Sequence, residues 1–227
     1  MTAVNKLNSD VYGPVNNVIA QLEQIIYSGC LRVLLEAGVF DELPLDRRGM
    51  SSSDLAAKTN MEEALLVDIG GGQGHAIATI KKLTQDTRGR MILQEREEAI
   101  REIVDIEFVG IEKMTYDFFT PQPIQGALIY HIRRCLHDWP DAYYITILSN
   151  IANAMTPTSR LLIAEIGLPE EGGDTEASWL DITMLLFGGK ERSENEWIKL
   201  LDVAGMRLER VYGAEGTKYS VLEAWLK

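Results

Sequence analysis

The chain has 227 residues, 46% hydrophobic and 25% charged, which excludes a disordered polymer and suits one soluble domain with a smaller appendage. Twenty-two Lys and Arg face 34 Asp and Glu, a formal charge of −12, the wrong sign for collecting phosphates and so against a nucleic-acid partner. Cys30 and Cys135 stand far apart without CxxC spacing, so neither a disulfide framework nor a structural zinc site is expected. The first residues lack a basic stretch followed by an apolar one, and no run approaches the roughly 18 apolar residues of a membrane span, so the expectation is a cytoplasmic, reducing location without membrane contact.

From Val15 onward, Val18, Ile19, Leu22, Ile25 and Ile26 recur at helical spacing, which predicts an amphipathic helix. A second apolar set, Leu31, Leu34, Leu35 and Val39, follows Ser28-Gly29 and ends near Gly38. Ser51, with Asp54 three residues later, opens a short helix to about Thr59 in the manner of a capping box. Residues 1–62 thus read as helical. The texture changes at Ala64. ALLVDI is a compact strand-like run closed by GGGQG, and HAIATIKKL after it is helical. MILQE, EFVGIEKM, GALIYHI and RLLIAEI repeat the strand theme, with a helix over DAYYITILSNIANAM between two of them. Such alternation predicts a parallel sheet covered on both faces. At the end, a helix over ERSENEWIKLLDVAG precedes MRLERVYG and YSVLEAWLK, an antiparallel pair about a GAEGT turn at one sheet edge.

Between the first strand and the first helix, Gly70, Gly72 and Gly74 form GxGxG. Glycines there let backbone amides approach a ligand, and the helix N-terminus adds partial positive charge. Glu95 closes the second strand, where a carboxylate can accept both hydroxyls of a ribose. Two cofactors satisfy this geometry. A nicotinamide dinucleotide wants GxGxxG for its pyrophosphate, which this loop misses by one position. S-adenosylmethionine carries no phosphate, and its cationic end tolerates an acid such as Asp68 just before the loop.

LLVDIGGGQGH, YDFFTPQP, RRCLHDWPDAYY, LLIAEIGLPE and GGKERSENEW, in that order, resemble the small-molecule O-methyltransferases of the plant caffeate and fungal secondary-metabolite type. The likeness runs from about Ala64 to Lys227, and LLEAGVFDELP and SSSDLAAKT resemble the start of that family's winged-helix dimerisation domain. It implies a Rossmann-like α/β methyltransferase sheet, mostly parallel with an antiparallel edge strand, over 63–227. A partial helical, winged-helix-type dimerisation segment over 1–62 precedes it. In the family a long stretch separates the AAKT helix from the VDIGGG strand, whereas here Asn60-Met61-Glu62-Glu63 bridges them directly. The expectation is a chain internally truncated in the part that roofs the acceptor pocket.

The resemblance implies S-adenosylmethionine as cofactor, a hydroxylated small molecule as acceptor, and a homodimer. Methyl transfer to oxygen is an in-line displacement that needs a deprotonated acceptor and alignment. The family's general base matches His137 in HDWPD; read alone, His137 could equally be an exposed histidine near a helix cap. A reference pKa of about 6.5 lets neutral imidazole take a phenolic or enolic proton near neutrality. Glu165, ending LLIAE, and Glu191, in GKER, match the acids that flank that histidine and fix its tautomer. Asp138 reads either as part of the site or as an N-cap. Toward the cofactor the resemblance places Asp68, Gly70, Gly72, Gly74 and Glu95, with Asp117 reading the adenine amino group and Phe118 packing its ring. Arg133 stands where plant relatives carry a lysine near the cofactor. Trp139 reads as core packing before a site wall. His75 and His131 have no partner at metal-ligand spacing, so no catalytic metal is expected. Two rivals keep the fold without methyl transfer: a pericyclase or dehydratase type, and an inactive truncated partner subunit. A DNA-binding regulator is disfavoured, because the first 60 residues lack a basic face.

Overall fold

The computed structural model describes residues 64–83, 89–103, 109–172, 175–186, 188–213 and 219–227. The helices expected within 1–62, including the Val18-Leu22-Ile25-Ile26 stripe and the Ser51 cap, lie outside the described residues, as does Cys30. The chain enters on β1 (Ala64–Ile69) and passes through the glycine turn into α1 (His75–Leu83). It continues through β2 (Arg90–Glu95), α2 (Glu97–Glu102), β3 (Ile111–Thr115) and β4 (Ile129–Arg133). A 3-10 turn (Leu136–Asp138) then leads into α3 (Asp141–Ala152), β5 (Arg160–Leu168), α4 (Thr175–Leu186) and β6 (Arg192–Ser193). The last elements are α5 (Glu194–Val203), β7 (Met206–Gly213) and β8 (Tyr219–Leu226).

The strands order as β3-β2-β1-β4-β5-β8-β7, with β6 beside the end of β5. The β1–β2, β2–β3, β1–β4 and β4–β5 pairs are all parallel. Only β8 runs against its neighbours, antiparallel to β5 and β7, so the expected pair forms at that edge with β7 outermost and the reversed strand one place in. Alternate residues of each strand feed two apolar layers. Val67, Ile92, Ile132 and Ile163 pack with Tyr144, Ile147 and Ile151 of α3 and with Trp197 and Leu201 of α5. Leu66, Met91, Leu93 and Leu162 pack with Ile77 and Ile80 of α1. Coverage on both faces explains the near-continuous apolar strands, as parallel sheets require. Because the strand order reverses between β1 and β4, the loops leaving their C-terminal ends diverge and open a crevice.

Several boundaries move from the sequence expectation for local reasons. The helix expected from Glu191 starts at Glu194, because Arg192–Ser193 pairs as β6 with Gly167–Leu168. The Ser193 N–H then donates to Glu196 Oε2 at 3.0 Å, an N-terminal cap. The strand expected from Gly126 starts at Ile129; Gly126 sits at φ 67°, with its N–H on the Ala154 carbonyl. β5 continues past Glu165 to Leu168, since β8 pairs Ser220 and Tyr219 with Glu165 and Ile166. α2 and α4 were not foreseen.

Candidate active site

The glycine turn is built by backbone geometry that side chains resist. Gly70, Gly72 and Gly74 all have φ between 58° and 75°, the left-handed region that glycine enters freely. The Gly70 N–H donates to the Gln94 carbonyl at 2.8 Å. A Cβ on Gly70 would come within 3.0 Å of Cys135 Sγ, and one on Gly71 would overlap Asp68 Oδ2 and Leu93. The Gly72 N–H donates to Glu95 Oε2 at 3.0 Å, and Glu95 Oε1 accepts from the Arg96 N–H at 2.7 Å. Glu95 is therefore fixed at the strand end with its carboxylate against the turn.

A cavity of about 710 Å³ opens at the ends of β1 to β4, lined by Gly70, Glu95, Asp117, Phe118, Cys135 and Asp138 among others. Asp117 heads a short turn in which its Oδ1 accepts the Phe119 N–H at 3.0 Å. Asn150 of α3 donates to the Phe118 carbonyl at 3.0 Å. Phe118, Phe119 and Trp139 meet edge to face at 4.8 to 5.9 Å, a rigid aromatic wall. Trp139 belongs both to the core and to this wall. Of the expected cofactor residues, Gly70, Glu95, Asp117 and Phe118 line the cavity, and Gly72 touches it through Glu95. Gly74 starts the α1 ladder by accepting from the Ala78 N–H. Asp68 is fully buried beneath the loop. Arg133 closes β4 outside the lining, where its neighbour Arg134 stands instead.

The second half of the site hangs from the chain leaving β4. Arg134 takes φ 47°, uncommon for a side-chain-bearing residue, and turns the backbone into the 3-10 segment. The Cys135 and Leu136 N–H groups both donate to Glu165 Oε1 at 3.0 Å, so this β5 carboxylate anchors the turn that carries His137. His137 is 7% exposed. Its Nδ1 lies 2.9 Å from Glu191 Oε1 and 3.6 Å from Glu165 Oε2, and its Nε2 lies 3.6 Å from Asp138 Oδ1. With Nδ1–H donating to Glu191, Nε2 keeps a free lone pair. Burial disfavours charge on the ring, but the Glu191 hydrogen bond and the charges of Glu165, Glu191 and Asp138 outweigh it. The imidazole is thereby held above its ordinary pKa. Burial pushes Glu165 up to about 7, against the opposing pull of His137 and the two backbone donors.

Sequence reasoning brought His137, Glu165 and Glu191 together, and the structure joins them. It missed the stitching between HDWPD and GKER. The Lys190 N–H donates to the His137 carbonyl at 2.7 Å. Arg192, 1% exposed, donates to the Trp139 carbonyl and to Asp141 Oδ1. Its guanidinium also lies 4.4 Å from the Tyr144 ring centroid. Asp138 does not cap α3, whose N-cap is Pro140. Also missed was His131, whose Nδ1 lies 2.7 Å from Asp68 Oδ1 with both residues fully buried. The available signal was that each interrupts an otherwise apolar strand buried on both faces.

The O-methyltransferase domain family matches residues 39–207. The O-methyltransferase kntB of Aspergillus niger is 44% identical over 171 residues, covering 75% of this chain and 41% of kntB. A solved structure described as a pericyclic reaction enzyme superposes with a TM-score of 0.70 at 36% identity, covering 73% of this chain and 44% of that one. LepI in complex with SAM superposes with a TM-score of 0.68 at 35% identity, over 73% of this chain and 43% of LepI. The chain thus spans less than half the length of these relatives.

Proposed function

Because the chain belongs to the O-methyltransferase domain family, we propose that it transfers a methyl group from S-adenosylmethionine to a hydroxyl of a small aromatic or polyketide-like molecule. One observation carries this reading: a histidine held through Nδ1 by a buried glutamate stands beside a cavity walled by Glu95, Asp117 and Phe118. The cavity fits the cofactor, since the acids at its rim suit ribose hydroxyls and an adenine amine. When bound, S-adenosylmethionine supplies a methyl group made electrophilic by its sulfonium.

In this proposal Glu95 accepts the ribose hydroxyls, Asp117 the adenine amino group, and Phe118 packs the ring. Asp68 sets the loop from below, while Gly70, Gly72 and Gly74 keep it low. Arg133 acts only through the backbone that leads to Arg134. His137 Nε2 takes the proton of the acceptor hydroxyl. Glu191 holds the Nδ1–H and stabilises the imidazolium that forms, and Glu165 fixes the turn. The cavity's aromatic wall suits the flat adenine ring.

We further propose that residues 1–62 form a truncated dimerisation segment and 63–227 the cofactor-binding domain, that the protein is a homodimer, and that it works in the cytoplasm. Among the described residues no helix is long and apolar enough to cross a membrane. The likeness to a pericyclic reaction enzyme favours a second reading, the same pocket serving a rearrangement without methyl transfer. Incubating the protein with methyl-labelled cofactor and a panel of phenolic and polyketide acceptors separates the two. Label in the product supports methyl transfer, and an unlabelled isomerised product supports the rival.

A further inference from the structure

We propose that His137, Glu165 and Glu191 form a binding site for a divalent zinc-like cation, and that its occupancy switches off the histidine as a base. His137 Nδ1 and one oxygen from each glutamate all lie within 4.8 Å of one another, with Nδ1 at 2.9 and 3.6 Å from the two oxygens. Zinc–ligand bonds of about 2.0 to 2.2 Å in a tetrahedral shell set neighbouring ligand atoms roughly 3.3 Å apart. The two Nδ1 separations bracket that spacing, and the two carboxylate oxygens, within 4.8 Å of each other, must close toward it on binding. The two carboxylates are 2% and 1% exposed. Glu165 Oε2, aimed at Nδ1, and Glu191 Oε2 have no hydrogen-bond partner among the described residues. Two buried carboxylates beside one imidazole thus each keep an oxygen without a hydrogen-bond partner among the described residues, a costly arrangement that a doubly charged cation relieves.

The donor set selects the ion. One imidazole nitrogen with two carboxylate oxygens matches the three protein ligands of a zinc site that keeps one position open. Calcium and magnesium want shells of oxygen and more ligands. The site bears on the chemistry through the tautomer. A neutral imidazole has one ring hydrogen; placed on Nδ1, it leaves the Nε2 lone pair free to accept. A cation bonded to Nδ1 takes that lone pair, the Nδ1–H bond breaks and an Nε2–H bond forms, with the ring's hydrogen count unchanged. Nε2 then only donates, and the ring no longer removes a proton from an acceptor. Cys135, on the same turn, offers a competing thiol, which the test must exclude.

The site does not depend on methyl transfer, so its test reads the metal alone. The full chain, freed of metal by dialysis against a chelator, is titrated with Zn2+ by calorimetry and with Co2+ by visible absorption. The expected result is one ion per chain at micromolar affinity, with four-coordinate nitrogen–oxygen bands for Co2+. Glu165→Gln and Glu191→Gln should each weaken binding at least about tenfold, and Cys135→Ser should leave it intact. Binding indifferent to both glutamine substitutions, or a thiolate-to-cobalt charge-transfer band, overturns the proposal. Should a glutamine variant fail to fold, the Co2+ spectrum of the unsubstituted chain decides. Strong four-coordinate bands support the site, and weak six-coordinate bands or none overturn it.

Discussion

Gln94 and Gln122 face each other head to tail in the core, each side-chain amide donating to the other's oxygen at 2.7 and 2.8 Å. Both are buried. The pair ties Gln94, next to the strand-end Glu95, to the loop that carries Asp117 and Phe118, so the proposed cofactor contacts share one fastening. Gln122→Leu leaves the Gln94 amide oxygen without that donor and its nitrogen with only the weak Met114 sulfur acceptor, and should cost about 1 to 3 kcal/mol of stability. It should also weaken S-adenosylhomocysteine binding. Urea unfolding and calorimetry measure the two effects, and the double variant Gln94→Leu/Gln122→Leu should recover part of the stability.

Asp68 and His131 pose a sharper case beneath the glycine loop. Parallel pairing of β1 with β4 sets them opposite one another, and both are fully buried. His131→Leu strands an acid in the core, and loss of one partner of a buried pair costs about 3 to 5 kcal/mol. Replacing both residues with leucine should be milder than replacing His131 alone. Equal unfolding midpoints for the parent and His131→Leu would show the pair to be without energetic weight.

If His137 is the base, His137→Ala should lower turnover by about 100-fold to 10,000-fold while S-adenosylhomocysteine affinity stays within about twofold. The small second effect follows because the ring contacts Glu191 and Glu165 and is not among the residues lining the cavity proposed for the cofactor. Unchanged turnover would leave the ring a positioning part at most.

The pH dependence follows from the same contacts. The base acts when neutral, and its pKa is held above 6.5, so turnover should rise with pH through a midpoint above that of free imidazole. Glu191→Gln removes the main favourable contact and should move the midpoint down. Stability runs the other way. Glu165 is raised from 4.5 to about 7 by burial, so folding favours its protonated form, and its contribution is lost as pH climbs from 4.5 through 7. The raised His137 adds stability that is present below 6.5 and fades above its folded pKa. Denaturant midpoints at pH 5 and pH 8 should therefore differ less in Glu165→Gln than in the parent.

The alternation of apolar runs and helical periods in the second half of the chain was enough to read a parallel sheet, because a strand buried on both faces has few other compositions. The two glutamates around the imidazole were legible only through motif order, since Glu165 and Glu191 are 28 and 54 positions from His137 and nothing local marks them as its partners. Arg192 escaped notice because a lone arginine in a charged box reads as solvated, yet it donates to the Trp139 carbonyl in the tight turn before α3 and to the Lys190 carbonyl beside Glu191. α4 was missed for the opposite reason. Its Trp179, Ile182, Leu185 and Leu186 are exposed, so its apolar residues do not resolve into one buried stripe.

Cofactor binding by this chain is tested most directly by titrating S-adenosylhomocysteine into the folded protein and into Glu95→Ala. Glu95 both lines the cavity and holds the Gly72 amide. Micromolar binding by the parent, lost in the variant, is the expected result. No binding by a cooperatively folded parent, or equal binding by both, would contradict the assignment of this cavity to the cofactor.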